Sequence, residues 1–128
     1  MPPLLNIGLL GAGCVGSGVY DLIRYRLNSS SRYVITKILV RSLSKRRPFT
    51  VDTEQCTVTD RVEDILDDES INVIVEVVGG SEGLAKDAVY NALKRGKHVV
   101  TANKALIAEN LSEIEVSCRC MQLGVFGV

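Results

Sequence analysis

The turn Gly11-Ala12-Gly13-Cys14-Val15-Gly16 constrains this chain more than any other stretch. An apolar run from Leu4 to Leu10 leads into it and reads as a buried strand. Past the turn, Val15, Val19, Leu22 and Ile23 recur at helical spacing. Strand, G-x-G-x-x-G turn and helix in that order make the arrangement that holds a dinucleotide pyrophosphate. Gly11 allows the tight turn, Gly13 leaves no Cβ between backbone and phosphate, and Gly16 lets the helix pack close to the strand. Free N–H groups and the positive end of the helix dipole then face the phosphate oxygens. Glycine-rich turns without a ligand are common, so the weight lies in the strand before the motif and the helix after it.

The remaining chain alternates strand and helix patterns. The first helix is expected over Ser17 to about Leu27, ending near Asn28-Ser29-Ser30-Ser31. Tyr33 to Val40 is β-branched and reads as the second strand. Cys56-Thr57-Val58 reads as a short third strand, followed by a short helix through Asp64 that buries Val62, Ile65 and Leu66. Asp67-Asp68-Glu69 reads as solvated surface. Ile71 to Val78 is a near-continuous apolar strand, interrupted by Glu76, which is either at the edge of a crevice or a paired buried acid. A helix from Ser81 to Arg95 carries Leu84, Ala85, Ala88, Val89, Ala92 and Leu93 on its apolar face, with Ser81 as N-cap and Gly96 as stop. Lys97 to Thr101 is a further strand. Leu111, Ile114, Cys118 and Met121 mark a last helix, and Leu123 to Val128 a last strand. Such alternation predicts an α/β fold: a Rossmann-type, doubly wound, mostly parallel sheet with helices on both faces, as one domain over 1–128.

The residues after the second strand bear on cofactor choice. A site for NAD places Asp or Glu there for the ribose 2′-OH, whereas a site for NADP offers Arg to the 2′-phosphate. Here Arg41-Ser42-Leu43-Ser44-Lys45-Arg46-Arg47 follows, and no carboxylate occurs before Asp52. Arg41 and Lys45 are the leading candidates for a 2′-phosphate, with Ser42 as a hydroxyl donor. This favours NADP (NADPH) over a plain solvated basic loop, and use of NAD as well stays open.

Charge and cysteine usage narrow the function classes. Fifteen basic residues balance fifteen acidic ones, which gives no support for nucleic acid or an anionic membrane as main partner. No apolar run approaches the roughly 20 residues of a membrane span. The N-terminus has no basic segment before its apolar run, so a cytoplasmic or organelle-matrix protein is expected. Cys14, Cys56, Cys118, Cys120 and the lone His98 lack metal-ligand spacing, so reduced thiols and no metal are expected.

Several of these stretches together resemble homoserine dehydrogenase. They are Asn6 to Val19, Ile35 to Arg41, Val75-Glu-Val-Val-Gly-Gly80 and Gly96-Lys-His-Val-Val-Thr-Ala-Asn-Lys-Ala-Leu106. The last is the most specific, since sugar-oxidising Rossmann relatives tend to carry Glu-Lys-Pro in place of Ala102-Asn103-Lys104. The resemblance covers about Leu5 to Ala108. It implies hydride transfer between NADPH or NADH and aspartate semialdehyde or homoserine, on the route to threonine, methionine and isoleucine. It implies backbone contacts to the cofactor from Ala12, Gly13, Cys14 and Val15, and contact of Arg41 with the 2′-phosphate. Gly79 and Gly80 would face the nicotinamide side, and Thr101, Asn103 and Lys104 the ribose and reacting centre. Cys14 stands where the family often has Thr, which would remove a hydroxyl contact. Lys104 would be one of a catalytic pair of lysines. The family's substrate and dimerisation domain, with the second lysine, has no counterpart in these residues. The chain is therefore expected to be the nucleotide-binding half of an enzyme whose full-length form is a homodimer. A stand-alone NAD(P)-binding module and another Rossmann oxidoreductase, such as an aspartate dehydrogenase, are the competing readings.

Overall fold

The β1 strand (Leu5–Leu10) feeds two apolar layers at once, because successive side chains of a strand point to opposite faces. Ile7 and Leu9 enter one buried cluster with Tyr20, Ile35, Ile38 and Val40. Leu10 enters the other, with Ile65, Leu66, Ile74, Val89, Leu93 and Leu106. A computed structural model describes residues 4–26, 32–44, 51–78, 83–121 and 124–127. After β1 come α1 (Cys14–Asp21), a wider π-helical turn over Leu22–Arg26, β2 (Tyr33–Leu39), β3 (Thr57–Thr59) and α2 (Glu63–Leu66). Then follow β4 (Val73–Glu76), α3 (Leu84–Lys94), β5 (His98–Thr101), α4 (Lys104–Met121) and β6 (Val125–Gly127).

Among the described residues the six strands form one sheet in the order β3-β2-β1-β4-β5-β6. Every described pairing is parallel. This is the doubly wound Rossmann order, in which the chain reverses direction across the sheet beside β1. Through Tyr20, α1 covers one face, and α2, α3 and α4 cover the other. Gly8 is glycine for a packing reason: a Cβ there would run into the side chains of Ile65 on α2 and Ile74 on β4. The short α2 helix therefore sits directly on the central strand.

Element boundaries depart from expectation at several places. The α1 helix starts at Cys14 rather than Ser17, because the Ser17 N–H already donates to Gly13 O at 2.8 Å. The third strand lies one residue later than expected, and β4 is shorter than the apolar run that contains it. Ser81, the expected cap of α3, lies outside the described residues. Leu84 and Leu111, assigned to apolar faces, are exposed. The α4 helix kinks at Asn110, whose Nδ2 donates to Leu106 O at 2.9 Å.

The acidic triplet after α2 is not simply solvated surface. Asp68 Oδ1 accepts from Ser70 N–H at 2.9 Å and Ser70 O–H at 2.6 Å, and Oδ2 pairs with Lys37 Nζ at 3.0 Å. The buried Lys97 donates to the Asp68 and Ile71 carbonyls at 2.7 and 2.8 Å. These bonds staple the N-terminal edge of the sheet, opposite the strand ends where a ligand would bind. The Ser70 hydroxyl, then the Lys37 ammonium, hold the Asp68 carboxyl down at about 2, against an ordinary 3.8. A depressed carboxylate stabilises the fold above its ordinary pKa and ceases to as pH falls through its folded pKa. With solvent screening allowed for, Asp68→Asn is expected to lower stability at neutral pH by about 1 kcal/mol. It should also flatten the acid limb of the stability curve. Urea unfolding at a series of pH values tests both.

Candidate functional site

The C-terminal ends of β1, β2 and β4 open onto a cleft of about 710 Å³, within the range of small-molecule and cofactor sites. Gly11, Ala12 and Gly13 form its floor, Leu39, Val40, Arg41 and Ser42 one wall, and Asp60, Arg61, Val62 and Glu63 another, with Val77, Val78 and Leu84 closing it. The floor is held between strands, with Gly11 N–H donating to Leu39 O at 3.1 Å and Val77 N–H to Leu10 O at 3.0 Å.

Two of the three motif glycines are fixed by the fold. Gly11 has φ of +112°, a conformation side chains disfavour, and Val77 backbone atoms lie 3.2 Å from where its Cβ would be. A Cβ on Gly16 would land on the Gly11 carbonyl, so the first turn of α1 rests directly on the glycine loop. Gly13 differs: a Cβ there would meet nothing within 4 Å. The fold does not require glycine at this position, but an open floor does. Gly13 is also the N-cap of α1, without a side-chain cap bond and without an acid in the first turn. The first-turn N–H groups therefore lack an intrahelical partner, as a phosphate would need them. Cys14 and Val15 are exposed beside them and Gly16 is buried. These residues fit a dinucleotide pyrophosphate.

The β2 end carries Arg41, exposed, and Ser42, half-buried, whose Oγ shares a 2.9 Å hydrogen bond with Ser44 Oγ. Lys45 lies outside the described residues. Asp52, the first carboxylate after β2, is engaged elsewhere. Its Oδ2 pairs with Arg24 at 2.6 Å, Oδ1 accepts from Glu54 N–H at 3.1 Å, and its own N–H donates to Tyr20 OH at 2.8 Å. The Arg24 guanidinium holds that carboxyl below the usual range. A second guanidinium, Arg61, lines the opposite wall and has no motif to announce it. It stands on a loop closed by Thr59, whose O–H donates to Asp64 Oδ2 at 2.5 Å and whose Oγ1 accepts Arg61 N–H at 3.1 Å.

At the other half of the crevice, β4 and β5 end in register, with Glu76 opposite Thr101. Glu76 is fully buried and paired, which settles the alternatives open for it. Thr101 O–H donates to Glu76 Oε2 at 2.6 Å, Val78 N–H donates to Glu76 Oε1 at 2.9 Å, and Asn103 N–H donates to Thr101 Oγ1 at 2.9 Å. Asn103 Oδ1 accepts Leu106 N–H at 3.0 Å and so caps α4. Lys104, the first residue of α4, is exposed. Gly79 and Gly80 lie outside the described residues. Thus the structure brings Gly11, Ala12, Gly13, Arg41 and Ser42 together in the cleft, whereas Cys14, Val15 and Gly16 continue into α1, and Thr101, Asn103 and Lys104 stand at the end of β5 and the start of α4 without lining it.

Of the described cysteines Cys56 is buried, Cys118 half-buried and Cys14 exposed. Burial pushes the Cys56 thiol up to about 12, and raises that of Cys118. Among the described residues no cluster of three His, Cys, Asp or Glu could hold a metal, and no described helix is long and apolar enough to cross a membrane.

A family model described as the homoserine dehydrogenase NAD-binding domain matches residues 11–116. The homoserine dehydrogenase of Bacillus subtilis (strain 168) is 41% identical over 115 residues, which cover 86% of this chain and 26% of that protein. A crystal structure of Staphylococcus aureus homoserine dehydrogenase superposes with a TM-score of 0.85 at 40% identity, covering 98% of this chain and 33% of that one. The Thiobacillus denitrificans homoserine dehydrogenase structure gives 0.78 at 33% identity, over 99% of this chain and 30% of that one. The chain thus spans about a quarter of the length of the curated relative.

Proposed function

Because the chain belongs to the homoserine dehydrogenase family, matching its NAD-binding domain, we propose that residues 1–128 form the cofactor domain of an enzyme that interconverts aspartate semialdehyde and homoserine, with NADP preferred to NAD. Binding of a nicotinamide dinucleotide follows from the family. The preference and the chemistry are the proposal. The observation that carries it is the pairing of an open Gly13 floor with Arg41 at the β2 end, in one cleft.

In a Rossmann site the pyrophosphate lies at the glycine turn and the adenosine extends over the β2 end. Arg41 lines the cleft at the β2 end, which supports its assignment to a 2′-phosphate, since a guanidinium offers a forked set of donors. The nearest following carboxylate, Asp52, is held by Arg24 and so is not presented to a ribose hydroxyl. The bound dinucleotide supplies the hydride. The chain supplies the orientation, the exclusion of a side chain at Gly13, and a cation at Lys104 near the reacting end.

Arg41→Ala tests the preference. A charge-assisted bond contributes about 1.5–3 kcal/mol, so calorimetric titration at fixed ionic strength should show NADPH binding weakened roughly 10- to 100-fold. NADH binding should stay within about twofold, since no 2′-phosphate is lost. An equal loss for both would reject the 2′-phosphate role, and no binding of either by the unaltered chain would reject the cofactor site.

A further inference from the structure

Glu76 is an expensive residue for a central strand. Its neighbours on β4 are Val73, Ile74 and Val75, and a carboxylate with no exposure loses all of its hydration. An aliphatic side chain would fill the same space at no such cost. What the carboxylate provides is a tie between two chain segments. One oxygen holds the Val78 N–H in the turn leaving β4, and the other holds the Thr101 hydroxyl at the end of β5. Through Thr101 Oγ1 the tie reaches the Asn103 N–H, and Asn103 in turn caps the helix that begins with Lys104.

In a doubly wound sheet the two mononucleotide halves of the ligand lie over the two halves of the strand order. With the adenosine half over β1 to β3, the nicotinamide half lies over the ends of β4 and β5, the two segments this carboxylate joins. We infer that Glu76 is a positioning residue for the nicotinamide half of the cofactor, setting the β4 turn and the Thr101–Lys104 segment in fixed relation through the Thr101 hydroxyl. This rests on the cofactor reading above and assigns the work within that site.

The hydrogen-bond polarity makes the inference testable. Both carboxylate oxygens act as acceptors, so Glu76→Gln places an amide donor against either the Val78 N–H or the Thr101 hydroxyl. Thr101→Val removes the hydroxyl while keeping the shape. The probes are NADPH and adenosine 2′,5′-bisphosphate, which lacks the nicotinamide half, titrated into the chain, with thermal unfolding followed in parallel. Glu76→Gln and Thr101→Val should each weaken NADPH about tenfold, roughly the 1.4 kcal/mol of one lost bond. The bisphosphate should stay within about twofold for both variants, because its contacts lie in the other half of the site. Thr101→Ser, which keeps the hydroxyl, should restore most of the NADPH affinity. Unchanged NADPH affinity in Thr101→Val would overturn the inference, as would parallel weakening of both probes, which would mark a role in the fold alone. If the unaltered chain bound the bisphosphate but NADPH no more tightly, the nicotinamide half would be unengaged and the inference would fail while the adenosine site stood. If it bound neither probe, the cofactor reading itself would fall and the inference with it.

Discussion

Gly13→Asp is expected to abolish dinucleotide binding while leaving the chain at least as stable as before. The space around Gly13 is empty, so a side chain there meets no atom of the fold within 4 Å. Its negative φ of −83° and extended backbone are open to other residues, and Asp is among the best N-caps, so α1 should gain a few tenths of a kcal/mol or lose nothing. For the ligand the change is severe. The carboxylate occupies the phosphate position and takes up the N–H groups that would have bound it. Loss of two charge-assisted bonds, at about 1.5–3 kcal/mol each, weakens binding by roughly 100-fold or more. Gly16→Ala should show the reverse order of events. Its Cβ meets the Gly11 backbone, which cannot swing aside as a side chain can, so stability falls by about 1–3 kcal/mol before any ligand is added. Thermal unfolding and calorimetric titration of the two variants separate a glycine kept for the ligand from one kept for the fold. Wild-type affinity in Gly13→Asp would place the pyrophosphate elsewhere.

Lys104→Met, made in a chain of the relatives' full length, should lower turnover by roughly 10²- to 10⁴-fold, the range of a lost general acid. Cofactor affinity should change little. Reduction of an aldehyde builds negative charge on its oxygen, and an ammonium placed beside it can stabilise that charge and deliver the proton. The lysine's position argues that it is not there for stability. It is the first residue of α4, where the helix dipole disfavours a cation, and it is exposed. Removing the charge should therefore raise stability by a few tenths of a kcal/mol, or leave it unchanged. A variant that turned over at the wild-type rate would remove Lys104 from the chemistry. One that lost turnover through unfolding would contradict the reading of its position.

The parts of this architecture written in local sequence were legible. The glycine spacing, the apolar run before it and the β-branched second strand each announce a backbone geometry within a few residues. Gly96 did the same for the end of α3. What escaped was set by contacts between distant residues. Arg61 lines the cleft from a loop closed by the Thr59–Asp64 bond, and nothing within that loop has a motif. Asp68 is one acid among three in sequence, and only the fold sets Lys37 and Ser70 beside it. The start of α1 at Cys14 likewise rests on a contact that spacing does not show, the Ser17 N–H donating to Gly13 O. Gly16 lies within that first turn, where the Gly11 carbonyl leaves room for no Cβ. Leu84 fits an apolar helix face by spacing, but it sits at the rim of the cleft, where the helix begins.

The position of β1 in the middle of the sheet has a consequence for synthesis. β1 leaves the ribosome before β2 and β4, and its two edges close at different times. Ile7 pairs with Ile35 on one side and with Val73 on the other. At roughly 5–20 residues per second, the second partner follows the first strand by several seconds. During that interval Leu9 and Leu10 have no β4 beside them, and Leu10 has no α3 above it. Among the described strands, the one that organises the finished molecule is thus the one that waits longest for its second neighbour.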